Sequence, residues 1–175
     1  MTTIGMYGGK FCPMHKGHLS VMQLAMDMCD VLYVFLFVNG DDERHIDWEW
    51  YTDPQFRMFQ LMKARRECLN KVRMGDSKVC DIRMIDVNDY RSIGEDGVPY
   101  EDWDKEAELI KEIIGAPLNY IYSSEPRYDA FFKKAYPEAE HIIVDEKRET
   151  FNISATKVRE MLSENKIEEA MEWIV

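Results

Sequence analysis

The chain has 175 residues, 46% of them hydrophobic and 12% aromatic, which supplies one packed core and excludes a disordered chain. Its 22 Lys and Arg against 33 Asp and Glu leave a formal charge of −11. That argues against a duplex nucleic-acid binder, whose affinity rests on many cation–phosphate contacts, but not against a small anion held in one cationic pocket.

Thr3 to Tyr7 predicts a strand running into Gly8-Gly9. From Leu19, the residues Met22, Ala25, Met26 and Cys29 recur at helical spacing. Val31 to Val38 is continuously apolar, the signature of a strand covered on both faces. At that length it falls far short of the roughly 20 residues that cross a bilayer, so no membrane partner is expected. Asn39 to Asp53 reads as a polar, acidic loop, with Asp41 to His45 a solvated segment able to close over a substrate. Pro54 opens a helix running to about Met74-Gly75. Val79 to Val87 predicts a third strand, followed by a loop from Asn88 to Asp102. Trp103, Ala107, Ile110 and Ile114 share one helix face, and Gly115 stops that helix. Tyr120 to Tyr122, then Pro126 to Tyr136, then His141 to Val144 read as strand, short helix and strand, ahead of two terminal helices.

This alternation predicts a doubly wound parallel α/β sheet of about five strands, as one domain over residues 1–175. Ligands in such sheets sit beyond the carboxyl ends of the strands. Cys12, Cys29, Cys68 and Cys80 form no C-x-x-C pair, and the N-terminus reads as no leader, so a soluble, cytoplasmic protein with reduced thiols is expected.

The first strand-to-helix turn, Gly8-Gly9-Lys10-Phe11-Cys12-Pro13-Met14-His15-Lys16-Gly17-His18, contains the parts of a phosphate site. Glycines allow close backbone approach, Lys10 adds charge, and the helix start offers free N–H groups. His15 and His18 would donate to phosphate oxygens whose charge grows in a transition state. The blander readings are solvated surface histidines or a metal site, the latter weak without a nearby third ligand. Near the other end, Ser154 reads as a helix N-cap, with Thr156 beside it and Arg159 about one turn on. Two helix starts of this kind would grip both ends of a triphosphate.

The pattern G-K-F-x-P-x-H-x-G-H with I-S-x-T-x-x-R resembles the nucleotidylyltransferase superfamily. Tyr122-Ser123-Ser124-Glu125-Pro126, Val144-Asp145, Arg148 and Phe151 to Thr156 are similar to the nicotinamide mononucleotide adenylyltransferase domain of NadR-type proteins. The resemblance implies a Rossmann-like fold and transfer of AMP from ATP to nicotinamide mononucleotide, with magnesium carried on the ATP phosphates. It implies ATP contacts from Gly8, Gly9, Lys10, Phe11, His15, His18, Ser124, Glu125, Arg148, Ser154, Thr156 and Arg159. His15, His18, Lys10 and Arg159 would be catalytic. Lys10, Asn39, Arg57 and Trp103 would face the mononucleotide, although Arg57 also reads as a solvated helix arginine and Trp103 as a core residue. Superfamily members often assemble, so a homo-oligomer is one implied state. Related transferases for cytidylyl groups, pantetheine phosphate or flavin mononucleotide share the H-x-G-H turn, and a non-catalytic ATP or NAD sensor is the reading of a different class.

Overall fold

A computed structural model describes residues 1–39 and 50–175, so the acidic loop expected around 41–49 lies outside the described residues. Strands β1 (Ile4–Gly9), β2 (Val31–Val38) and β3 (Val79–Asp86) come first along the chain. A hairpin of β4 (Arg91–Ile93) and β5 (Pro99–Glu101) intervenes before β6 (Tyr120–Ser123) and β7 (Glu140–Ile143). The five longer strands form one sheet in the order β3-β2-β1-β6-β7, and all four pairings are parallel.

Helices cover both faces of this sheet. On one side α1 (Lys16–Met28) and α2 (Pro54–Asn70) pack Met22, Met26, Leu61 and Ala64 against Leu32, Val34 and Leu36. On the other, α3 (Trp103–Ile114) and α4 (Asp129–Ala135) pack Ala107, Ile110 and Ala135 against Phe35, Met6 and Ile121. Because β2 is buried on both sides, its continuous apolar run is what the fold requires. Each fully buried Leu, Met or Phe contributes about 1.5–3 kcal/mol. A smaller cluster of Ile153, Val158 and Ala170 joins α5 (Ala155–Ser163) to α6 (Ile167–Trp173).

The chain winds outward from β1 to β3, then returns to the other side of β1 as β6 and β7. The order therefore reverses between β1 and β6, and a crevice opens at their carboxyl ends. Among the described residues no helix is long and apolar enough to cross a membrane.

Three expectations need correction. The stretch 88–102 is not all loop, because Ser92 pairs with Tyr100 in the β4–β5 hairpin, and Gly97 turns it at a φ of 78°. Strands of three residues carry no readable periodicity. The second helix ends at Asn70, ahead of Met74. Arg57 is not a solvated helix arginine, since it is 1% exposed. Its guanidinium donates to Lys10 O at 3.0 Å, Phe37 O at 3.4 Å and Thr52 O at 2.9 Å. That fan of bonds ties the exit of β1 to the end of β2 and the start of α2. Truncation would leave three carbonyls without this donor, so Arg57→Ala is expected to cost about 3 kcal/mol, read as a lower urea midpoint.

Candidate active site

Helix α1 opens on two histidines that cap each other. Gly17 N donates to His15 Nδ1 at 3.1 Å, and His15 N donates to His18 Nδ1 at 3.3 Å. The two rings stack with centroids 3.7 Å apart, and Phe11 meets His18 edge-on at 5.0 Å. With both Nδ1 atoms accepting, each neutral ring carries its proton on Nε2. Burial pushes the His15 pKa down to about 4, helped by the nearby Arg148 charge. Burial also holds His18 well below its ordinary value, with His15 and Arg148 acting in the same direction. Gly17 is required by this packing: a Cβ there would stand 2.9 Å from His15 Cε1.

The turn is braced from below. Gln60 accepts from Met14 N at 3.3 Å and donates to Val175 O at 3.1 Å, while Val175 N reaches Met14 O at 3.2 Å. Thus α2 and the segment after α6 hold the backbone just ahead of the histidines.

Helix α5 supplies the opposite wall. Ser154 caps it by accepting from Lys157 N at 3.1 Å. Arg159 reaches across to the first turn, donating to Cys12 O at 2.6 Å and to Thr156 Oγ1 at 3.3 Å. Arg148 sits at a φ of 54° on a loop closed by the Asp145 carboxylate, which accepts from Thr150 N and Phe151 N, both at 3.1 Å. Its guanidinium donates to Ile153 O at 2.6 Å and to Glu125 Oε1 at 3.3 Å.

Between these walls lies a cleft of 540 Å³. Gly8, Gly9, Lys10, Phe11, His15, His18, Ser124, Glu125, Arg148, Ser154, Thr156 and Arg159 all line it. A second cleft of 470 Å³ adjoins it, and Gly8, Gly9, Lys10, Ser123, Arg127 and Tyr128 belong to both. Trp103 is 43% exposed and lines the second cleft, its ring against Tyr128 and Phe131, so it is no core residue. Asn39 and Arg57 line neither cleft; Asn39 is buried at the end of β2.

Several lining residues carried no local signal. Arg127 and Tyr128 follow the S-S-E-P run, and Phe37, Tyr90, Glu101 and Glu106 come from four separate elements. Ser123, His141 and Asp129 form a chain, with Ser123 Oγ 2.7 Å from His141 Nε2 and His141 Nδ1 3.2 Å from Asp129 Oδ1. The same hydroxyl accepts from Glu125 N at 3.2 Å, so this chain ties β6 to β7 and fixes the turn that presents Ser124 and Glu125.

Two capped helix starts face each other across a strand-order reversal, and Lys10, Arg127, Arg148 and Arg159 line the cleft between them. The sequence profile of the cytidylyltransferase-like family matches residues 6–161. The chain belongs to that family. It is 27% identical over 161 residues to the trifunctional NAD biosynthesis/regulator protein NadR of Escherichia coli (strain K12), covering 90% of this chain and 36% of NadR. The chain thus spans little over a third of that relative's length. A crystal structure of NadR protein in complex with NR matches with a TM-score of 0.63 at 23% identity, over 99% of this chain and 43% of that one. Nicotinic acid mononucleotide adenylyltransferase of Plasmodium falciparum, complexed with NaAD, gives 0.57 at 16%, over 99% and 91%. At these identities the structural likeness speaks for the fold, a Rossmann-like sheet shared with nucleotidylyltransferases.

In this cytidylyltransferase-like protein the histidine pair makes stability depend on pH. Both folded-state pKa values lie below the unfolded value, so the unfolded chain binds more protons in between, and stability falls as pH drops below about 6.5. The loss should be on the order of 1 kcal/mol per pH unit for each imidazole. Urea midpoints between about pH 7 and 5.5 should fall, and His15→Asn, which keeps a capping acceptor, should flatten the slope.

Proposed function

We propose that this protein transfers AMP from ATP to nicotinamide mononucleotide, forming NAD and releasing pyrophosphate. The observation that carries the reading is the position of Lys10 on the rim shared by two clefts. One cleft is ringed by N–H donors and arginines, as a triphosphate needs. The other is aromatic and acidic, as a cationic pyridinium ring needs.

The chemistry requires no covalent enzyme intermediate. An oxygen of the mononucleotide phosphate attacks the α-phosphorus of ATP, forming the new P–O bond in line with the bond that breaks. Pyrophosphate departs with the electron pair of the bridging oxygen. Positioning and charge stabilisation are therefore the protein's whole task. The Nε2–H groups of His15 and His18 donate to the α- and β-phosphate oxygens as charge builds. Lys10 spans the two substrates' phosphates. The tip of α5, with Thr156 and Arg159, receives the leaving pyrophosphate, and Arg148 adds charge beside it. Ser124 and Glu125 border the adenine side. ATP enters as its magnesium complex, the ion riding on phosphate oxygens.

The test is incubation with ATP, magnesium and one acceptor at a time, with pyrophosphate and product detected by mass. Nicotinamide mononucleotide should yield NAD. Turnover only with pantetheine phosphate, flavin mononucleotide or a cytidylyl donor assigns a different transferase, and no release with any acceptor assigns a nucleotide sensor. His18→Ala should lower kcat by about 10²- to 10³-fold. Folded His18→Ala protein that turns over near the wild-type rate removes the assignment. Gly17→Ala, which presses a methyl into the His15 ring, should lower kcat about tenfold or more at unchanged lining charge.

A further inference from the structure

The negative wall of the second cleft acts on a ring's substituent as well as on its positive charge. Its walls include Phe37, Trp103 and Phe131, and two carboxylates, Glu101 and Glu106, open onto it. Glu106 lies in the first turn of α3, one turn beyond Trp103, and the Tyr90 hydroxyl nearby favours its ionised form. Glu101, at the end of β5, adds negative field. The cations lining the cleft, Lys10 and Arg127, also line the triphosphate cleft, where Arg127 pairs with Glu125 at 3.7 Å, and Arg91 stands across the β4–β5 hairpin from Glu101.

A pyridinium mononucleotide reaches such a cleft in two forms that differ at one ring substituent. The carboxamide is neutral and offers two N–H donors; the carboxylate is anionic and offers none. We propose that Glu106, on the wall of the second cleft with Trp103, selects the carboxamide over the carboxylate, accepting an amide N–H from one and repelling the other. This rests on the adenylyltransferase reading above. A site built to accept a substrate N–H rejects the analogue lacking it, because its own polar group is then left unmatched.

The experiment measures kcat/KM for nicotinamide and nicotinate mononucleotides with saturating ATP, on the full chain. Wild type should prefer the amide by about tenfold or more. Glu106→Gln, which can both accept and donate, should shrink that ratio about tenfold, mainly by lowering KM for the acid. Tyr90→Phe should shift it less in the same direction, and Glu106→Asp should restore it. An unchanged ratio in folded Glu106→Gln, or a wild type that prefers the acid, overturns the proposal.

Wild type alone gives a second readout. Burial raises the Glu106 pKa to about 7, so the preference for the amide should grow from about pH 6 to 8 as the carboxyl ionises. The phosphate ionises equally in both substrates and cancels from the ratio, so a flat ratio overturns the proposal. If neither mononucleotide is turned over, the adenylyltransferase reading has failed. Calorimetric binding of the two mononucleotides then decides the selectivity, and equal affinity overturns it.

Discussion

Two backbone N–H groups grip two imidazole nitrogens, and the character of the main cleft follows from that grip. The first turn of any helix leaves N–H groups without partners, and here His15 and His18 accept from them through Nδ1. Several properties follow at once. The rings stack, the tautomer is fixed with the proton on Nε2, and a residue with no Cβ is needed at position 17. Burial keeps both rings neutral, so they donate hydrogen bonds without needing to take up a proton first. A capping arrangement thereby doubles as a preorganised pair of donors.

A chain with a net charge of −11 must concentrate its cations to hold a polyanion. Lys10, Arg127, Arg148 and Arg159 gather around one cleft. Arg148 and Arg159 are each pinned by a short bond to a backbone carbonyl, Ile153 O and Cys12 O, both at 2.6 Å. Fixing the side chains during folding removes part of the ordering cost that binding would otherwise carry. Glu125 holds Arg148 and Arg127 in place, which keeps unlike charges interleaved on that wall. The neighbouring cleft has the opposite bias, aromatic with two glutamates, and Lys10 marks the border.

Much of this was legible along the chain. Strand-helix alternation, the two-faced apolar run of β2, and the H-x-G-H turn at a helix start are local patterns, and their physical causes are local too. Ser154 as a cap and Arg159 one turn later belong to the same class. The hairpin at 91–101 escaped because three-residue strands show no alternation. Arg57 reads in sequence as a mononucleotide contact or a solvated helix arginine, because nothing near it reveals the three carbonyls it serves, two of which come from distant segments. Tyr90 and Glu106 carried no signal, since a carboxylate in an amphipathic helix ordinarily faces water.

The sequence by itself determined the elements, their caps and the residue types available to meet an anion, because propensity, periodicity and capping act over a few residues. Only the tertiary structure decided that Arg159 would touch Cys12 O across 147 positions of chain. It also decided that Trp103 would line a cleft instead of the core, and that one lysine would stand between two binding spaces. These outcomes depend on which strands become neighbours and where their order reverses. Burial of both sheet faces settles that order across the whole chain at once, so no single segment can carry it.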